Sequence, residues 1–244
     1  MKKFLSVSIL VLLLVASVSF AKEIKLDTQL SQDLFKSVSK ELGVALAFNP
    51  MSPAEPLGIT GFDAAAEVIV TDINDNRDYW KFTFKNEDTI PMIPTARIHL
   101  QKGLPFNLDI GAMYSSVPST DIRLWGVELK YAILEGGITM PAISIRGAFS
   151  KLEGVDELDI NTYSGDLLIS KGFLFLTPYA GVTMLRVNAS ENSDSVSPDL
   201  DDVHETIYRG LIGLQVSPLP LLNITVEASI GEVKQYGLKL GLRF

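Results

Sequence analysis

The chain has 244 residues, of which 47% are hydrophobic and 20% are charged, and its formal net charge is −8. That length fits one large domain, or one domain with a small appendage. The absence of cysteine excludes a disulfide framework, a thiolate metal site and a cysteine nucleophile. An acidic chain also argues against nucleic acid as a partner, because binding to its backbone needs clustered lysine and arginine.

Residues 1–21 have the three parts of a secretory signal peptide. Lys2 and Lys3 form the positive start, an apolar run extends from Phe4 to Val18, and Ala21 is the small residue before the predicted cleavage point. An uncleaved membrane anchor is the alternative, but the run is shorter than the ~20 residues that a spanning helix needs. We therefore predict cleavage of the leader and export of the mature chain.

Residues 22–57 are predicted to form a short helix followed by a stiff linker. Apolar side chains recur at helical spacing over residues 27–46, and the helix is expected to end near Gly43. The apolar positions of this helix are Leu30, Leu34, Phe35 and Val38. Proline fixes the backbone dihedral φ, and the linker carries Pro50, Pro53 and Pro56.

From residue 58 onward the pattern changes to a two-residue alternation of apolar and polar side chains. This period places the two sets on opposite faces of a β-strand. Ten segments show it: residues 62–71, 96–101, 107–114, 125–133, 143–150, 163–170, 180–184, 208–216, 222–230 and 236–244. An even number of strands suits a barrel whose two ends of the chain lie on the same side.

Long and short connections alternate between these segments, as in a membrane barrel with short periplasmic turns and longer outer loops. The predicted short turns are at residues 104–105, 136–137, 173–178 and 218–220. The predicted long loops are at residues 72–94, 151–159 and 188–205. The connections near Pro118 and Glu232 are short exceptions.

The last nine residues form the clearest alternating strand. One face carries apolar side chains and ends in an aromatic residue, whereas the other holds only glycine, lysine and arginine. The apolar face consists of Tyr236, Leu238, Leu240, Leu242 and Phe244. This ending resembles the C-terminal insertion signal of bacterial outer-membrane β-barrel proteins, and with the leader the whole chain looks like one of the small outer-membrane barrels of Gram-negative bacteria.

The resemblance implies a location in the outer membrane, contact with its lipid and lipopolysaccharide, and recognition by the barrel-assembly machinery. We predict an all-β protein, a transmembrane antiparallel up-and-down β-barrel of about ten strands with a short N-terminal amphipathic helix. The expected divisions are a signal peptide at residues 1–21, the helix and linker at 22–57, and the barrel at 58–244. The oligomeric state stays open.

Aromatic residues near the strand ends lie on the predicted outer face. Membrane barrels place such residues at the two interfaces with water. The residues in question are Tyr114, Trp125, Phe149, Tyr163, Tyr208 and Tyr236. Ordinary core aromatics of a soluble β-sandwich are the alternative interpretation.

The predicted inner faces carry charges of both signs. They are Glu67, Arg97, Asp109, Glu128, Lys130, Arg146, Asp166, Arg209, Glu227, Lys239 and Arg243. A barrel of this size has a narrow interior that side chains largely fill, and buried charges there must pair. The favoured interpretation is a cross-strand salt-bridge network, and the alternative is a charged path for ions or solutes.

The helix has two possible positions relative to such a barrel. The favoured one is at the periplasmic mouth or on the membrane surface, and the alternative is a plug inside the lumen.

Other candidate sites are weaker. The acidic stretch at residues 189–205 and the segment Asp72–Asp78 offer oxygen ligands of the kind that bind Ca²⁺, but both are interpreted as solvated loops. His204 lies beside Asp201 and Asp202, and ten-stranded outer-membrane proteases use Asp and His at this rim. The sequence contains none of the hydrolase, nucleotide-binding or zinc-protease motifs. We expect no catalysis, no cofactor and no metal.

Three functions follow from this sequence. The first is a structural or narrow-pore protein of the outer membrane with a packed lumen. The second is a barrel that binds or carries an apolar ligand, with the N-terminal segment as its plug. The third is a surface enzyme that uses His204.

Overall fold

The computed structural model describes residues 31–73, 92–118, 120–155, 158–192 and 200–244. These residues form one helix, α1 (Gln32–Leu46), followed by ten strands. The strands are β1 (Phe62–Asp72), β2 (Met92–Leu104), β3 (Leu108–Ser116), β4 (Arg123–Glu135), β5 (Ala142–Glu153), β6 (Leu158–Ser170), β7 (Leu176–Glu191), β8 (Val203–Leu219), β9 (Leu222–Ile230) and β10 (Gln235–Arg243). The predicted signal peptide, residues 1–21, lies outside the described residues.

The ten strands close into one antiparallel barrel in which every strand pairs with its neighbours in sequence and β1 pairs with β10. The closing pair runs in register from Asp63 opposite Arg243 to Thr71 opposite Gln235. Phe62 and Phe244 add two backbone hydrogen bonds, of 3.0 and 2.8 Å, at the end of this pair. The predicted all-β barrel with ten strands and one short helix is confirmed.

Apolar side chains cover the outside of the barrel and charged side chains are buried inside it. In β4, Val127, Leu129 and Tyr131 are 48%, 51% and 43% exposed, whereas Glu128 and Lys130 are 6% and 2% exposed. A protein that folds in water buries apolar residues and exposes charges. The barrel has the opposite arrangement over most of its height.

The two ends of the barrel differ. At one end, named the turn end, lie the short connections 105–107, 136–141, 171–175 and 220–221 and the end of β10. At the other, the loop end, β1, β3, β5, β7 and β9 end and the next strand begins, so that the segments between them are 73–91, 117–122, 154–157, 192–202 and 231–234 in sequence. The predicted long connections at residues 72–94 and 188–205 are found at the loop end, as 73–91 and 192–202. The predicted long loop at 151–159 is wrong, because β5 and β6 extend into it and leave only residues 154–157, a shorter connection than 136–141 at the turn end. Pro178 and Pro218, placed in turns by the sequence, lie within β7 and β8.

The strands β6, β7 and β8 reverse their polarity near the loop end. Leu185 and Val187 of β7 point inward and are buried, whereas outward-facing Asn188 donates a hydrogen bond of 3.0 Å to the side chain of Asn161 in β6. Near the loop end the outer face of these strands is therefore polar and the inner face is apolar, which is the opposite of the arrangement at mid-height. The outward apolar pattern fades where this change occurs, which is why the sequence placed these residues in loops.

The helix α1 lies inside the barrel at the loop end, where it contacts β1, β2, β5, β6, β7 and β8. Its apolar face packs on inward-facing side chains of the wall, in a cluster that includes Phe35, Val38, Leu42, Ile160, Leu185, Val187, Val203 and Ile207. No helix in the described ranges has the length and apolar character needed to cross a membrane.

The favoured expectation for the helix, at the barrel mouth or on the membrane surface, therefore differs from the structure, which has it in the lumen. The amphipathic pattern did not distinguish the two, because an apolar face fits a membrane surface and an apolar wall equally well. Gly43 also does not end the helix. A Cβ atom at this position would collide with the side chain of Val187, so the glycine allows close packing of α1 against β7.

Candidate functional site in the barrel lumen

A chain of buried ion pairs crosses the inner wall at mid-height. The Arg97 side chain binds Glu67 with a Nε–Oε2 distance of 2.5 Å, and Arg146 binds both Glu128 and Asp166, the latter with a Nη1–Oδ2 distance of 2.5 Å. His99 joins the two halves of the chain. Its Nδ1 lies 2.7 Å from Glu67 Oε1 and its Nε2 lies 3.0 Å from Glu128 Oε1.

A second set of ion pairs lies closer to the turn end. The carboxylate of Asp63 binds Lys239 at 3.3 Å and Arg243 at 3.1 Å, and Asp109 binds Lys130 at 3.0 Å. All of these groups except Arg243 are buried, and Arg243 is half-buried. Opposite charges in direct contact offset the large cost of removing each from water.

The structure places every predicted lumen charge on the inner face, but two of them are satisfied by neutral groups. Arg209 donates a hydrogen bond of 2.5 Å from Nη1 to Gln235 Oε1. Glu227 accepts hydrogen bonds from the Tyr179 hydroxyl, at 2.8 Å, and from the backbone N–H of Met51, at 3.1 Å. The predicted pairing of charges thus describes most of the wall, while these two residues bind uncharged side chains and backbone.

The wall charges also bind the plug segment, which we define as residues 32–57. The Phe48 ring of this segment lies 4.8 Å from the guanidinium of Arg146 and 5.5 Å from that of Arg97. Its edge contacts the His99 ring at a centroid distance of 4.8 Å. A cation over an aromatic face is stabilising, more so when both are removed from water. Phe48 is thus the central contact between the plug segment and the wall.

The same two arginines donate to the backbone beside this ring. Arg97 Nη1 lies 3.1 Å from the carbonyl oxygen of Ala47, and Arg146 Nη2 lies 2.8 Å from that of Phe48. Each guanidinium therefore binds a wall carboxylate and a carbonyl of the plug segment at once. The planar, multi-donor shape of arginine suits this double role better than lysine would.

Hydrogen bonds hold the plug segment along the rest of its path through the lumen. Because the linker is not helical or part of a sheet, its buried backbone groups need partners from the wall. The contacts, from the loop end to the turn end, are Gln235 Nε2 to Val44 O (2.7 Å), Ser150 Oγ to Leu46 O (2.8 Å), Met51 N to Glu227 Oε2 (3.1 Å), Ala54 N to Ser170 Oγ (3.1 Å), Lys130 Nζ to Glu55 O (3.0 Å) and Leu57 N to Asp109 Oδ1 (3.0 Å).

Sequence reasoning missed the neutral wall residues Ser150, Ser170 and Gln235, which bind the plug segment, and Tyr179, which binds Glu227. The available signal was their position in the alternation, since each occupies the same face as a predicted lumen charge. Tyr179 also precedes the outward-facing residue Ala180, so an aromatic side chain had to enter the lumen there. Asp63 lies on the same inner face of β1 as Glu67 and is a further buried charge outside the predicted set.

Charged contacts fix α1 at the rim of the loop end. Lys36 binds Glu205 at 2.8 Å, and Lys40 binds Glu205 at 3.4 Å and Glu232 at 3.2 Å. Gln32 makes two hydrogen bonds with the backbone of Asp201, of 2.9 and 3.0 Å. The start of the helix is therefore attached to the connection between β7 and β8.

The other candidate residues lie on the outside. His204 faces outward and its Nδ1 lies 2.9 Å from Asn188 Oδ1. Most of the segment Asp72–Asp78, and residues 193–199 of the acidic stretch, lie outside the described residues. Within the parts of the chain that are described, no group of three or more His, Asp or Glu side chains could hold a metal ion.

The C-terminal set forms the outer face of β10. Tyr236, Leu238 and Leu242 are 52%, 47% and 49% exposed, and Leu240 is half-buried. Phe244, which is 62% exposed, follows the strand and pairs through its backbone with Phe62. These residues therefore lie at the seam where the first and last strands close the barrel.

No family model matches the chain, and no curated protein matches it. Solved structures similar to it include the N-terminal β-barrel domain of Pseudomonas aeruginosa OprF, with 12% identity, coverage of 77% of this chain and 99% of that one, and a TM-score of 0.37. The KdgM porin matches with 11% identity, coverage of 76% and 99%, and a TM-score of 0.36. Neisserial surface protein A matches with 10% identity, coverage of 75% and 95%, and a TM-score of 0.31. At these values the function has to be inferred from this chain's own residues.

Proposed function

We propose that this chain is an integral outer-membrane protein of Gram-negative bacteria whose barrel is closed by its own N-terminal segment, and that its role is structural rather than conducting. The observation that carries the proposal is the filled lumen. Residues 32–57 occupy it and are bound to the wall at every level from the loop end to the turn end.

A continuous apolar band supports placement in a membrane. Outward-facing residues of neighbouring strands lie side by side around the barrel, as in the registered pairs Ile110–Leu129, Leu167–Val182 and Val226–Leu238. Large apolar patches on a soluble monomer are unusual, whereas a lipid-facing band of this kind is general in transmembrane barrels. The hydrocarbon of a bilayer would cover this band.

Aromatic residues mark both edges of the band. Towards the loop end, Trp125, Phe149 and Tyr163 form a row across three strands, with centroid distances of 5.5 and 5.0 Å. Beyond Tyr163, at Asn161, the outer face turns polar. Towards the turn end the exposed aromatics are Phe106, Tyr131, Phe173, Phe175 and Phe244. Such girdles are expected where a barrel crosses the two interfaces of a membrane.

The lumen favours a closed barrel over a narrow pore. Nearly all of its charged groups are buried, and they bind one another, the plug segment or, for Arg209, the side chain of Gln235. A solute path would require the plug segment to leave, at the cost of the hydrogen bonds and cation–aromatic contacts that Arg97 and Arg146 make with it.

The proposal also includes a cleaved signal peptide, recognition of the C-terminal strand by the barrel-assembly machinery, and contact with lipopolysaccharide through the apolar band. It includes no catalytic role. His204 binds Asn188 on the outer face, away from the charged groups of the lumen.

Single-channel recording in planar lipid bilayers tests the closed lumen. Purified folded protein, shown to be folded by heat-modifiable migration in gels, should insert without producing conductance steps, and an open porin reconstituted in parallel serves as the positive control. Stable steps of tens of picosiemens from the intact protein would contradict the proposed closed state. Silence accompanied by an extracted apolar ligand would favour the carrier alternative.

A further inference from the structure

The plug segment crosses the lumen once, and in a definite direction. At the turn end, the backbone N–H of Leu57 donates to Asp109, which lies at the start of β3. At the loop end, Gln32 binds the backbone of Asp201 in the connection between β7 and β8. The chain therefore enters the described structure at the loop end and descends through the whole barrel before β1 begins at the turn end.

The start of α1 is fixed at the rim of the loop end. Phe35 is completely buried against the inward-facing apolar side chains of that end. The contacts of Lys36 and Lys40 with Glu205 and Glu232 add charged attachment on the water-exposed side of the helix. Both the apolar packing and the ion pairs thus hold the start of α1 at the rim, where Ser31 is exposed to solvent.

We infer that Ser31 and the start of α1 lie on the exterior of the cell, so that the plug segment spans the barrel from the bacterial surface to the periplasm. This inference rests on the proposed membrane placement, in which short turns face the periplasm and longer loops face outward. The turn end, with the end of β10, is then periplasmic and the loop end is extracellular.

This arrangement has a consequence for assembly. An exported chain reaches the membrane from the periplasm, so residues 32–57 have to enter the barrel from its turn end. In the folded barrel, the wall residues that bind the linker hold its extended backbone inside the part of the barrel that spans the membrane.

Cysteine labelling on whole cells tests the inference directly, because the chain contains no cysteine. Single-cysteine variants Ser31→Cys, Thr120→Cys and Ile138→Cys would be treated with a membrane-impermeant maleimide before and after the outer membrane is permeabilised. Thr120 is exposed at the loop end and Ile138, 99% exposed, lies in the turn between β4 and β5. Asp33→Cys, also at an exposed position, provides a second reporter should Ser31→Cys fail to fold.

The expected result is full labelling of Ser31→Cys and Thr120→Cys on intact cells, and labelling of Ile138→Cys only after permeabilisation. The inference is overturned if Thr120→Cys reacts on intact cells while folded Ser31→Cys and Asp33→Cys react only after permeabilisation or not at all. If Thr120→Cys needs permeabilisation, or if Ile138→Cys reacts on intact cells, the orientation on which the inference rests is wrong and the inference falls, whereas the proposed closed lumen is judged by the bilayer recordings. The controls thereby separate the two failures.

Discussion

At the scale of single residues, Phe48 shows how a segment without regular structure is held. Its ring lies between two buried guanidinium groups and against His99, while those guanidinium groups donate to the carbonyls of residues 47 and 48. One aromatic side chain therefore contacts cations that are already paired with wall carboxylates. This coupling joins the plug segment to the salt-bridge network.

Replacing this ring tests that role. Phe48→Ala should lower the free energy of unfolding by about 3–5 kcal/mol, because it leaves a cavity between Arg97 and Arg146 and removes the cation–aromatic contacts. Urea titration of the folded protein in lipid vesicles, followed by heat-modifiable migration, measures the change. Ile138→Ala is the control at a 99% exposed position of a turn, outside the aromatic girdles, and it should change stability by less than about 0.5 kcal/mol. Equal effects of the two substitutions would contradict a central role for Phe48.

At the scale of elements, the helix depends on a close approach to the wall. Gly43 of α1 lies against the side chain of Val187 in β7, and a Cβ atom added there would overlap it. The helix contacts β7 more than any other strand. One methyl group added at position 43 should therefore disturb the packing of α1 in the lumen.

The pair Gly43 and Val187 offers a test by compensation. Gly43→Ala should destabilise the folded barrel by about 1–3 kcal/mol through overpacking, and Val187→Ala in the same chain should recover part of this loss. Gly147→Ala, on the open outer face of β5 where no atom would meet the new Cβ, is the control. If Gly43→Ala leaves both the unfolding midpoint and the single-channel recordings unchanged, the helix is not packed as described.

The last strand is the second element with a specific role. Phe244 exchanges backbone hydrogen bonds with Phe62 where β1 and β10 meet. Deleting Phe244 should reduce the amount of heat-modifiable barrel in the outer membrane and leave unassembled chain in the periplasm, as seen by fractionation and immunoblotting. Deleting a residue pair from the connection at 117–122 is a suitable control, since it shortens an exposed loop without touching this seam. Normal assembly after loss of Phe244 would contradict the predicted insertion signal.

The elements also show what the sequence can and cannot predict. Ten strands were predictable because one face of each meets an apolar surrounding at mid-height, which imposes a two-residue period. The ends of β6 to β8 were not, because there the apolar side chains move from the outer to the inner face, as at Ile160 and Val187. The position of α1 was not predictable either, since Phe35 and Val38 would suit a membrane surface as well as the inner wall.

At the scale of the whole molecule, the barrel combines an apolar exterior with a filled, charged interior. The predicted charges of the lumen could be assigned to one face from their alternation alone. The partners of these charges could not be predicted, because the neutral residues that bind the plug segment, such as Ser150 and Gln235, have no distinctive sequence pattern. Pairing across strands depends on the register, which a single sequence leaves undetermined.

The placement of the apolar band in hydrocarbon is tested most directly by spin labels on the outer face of β4. Single-cysteine variants Val127→Cys, Leu129→Cys and Tyr131→Cys would carry a nitroxide in vesicles of outer-membrane lipid, with Thr120→Cys as the aqueous reference. Power saturation should show high accessibility to oxygen and low accessibility to a water-soluble nickel complex at the three β4 positions, and the reverse at Thr120. High accessibility to the nickel complex at Leu129 would contradict a membrane-embedded barrel.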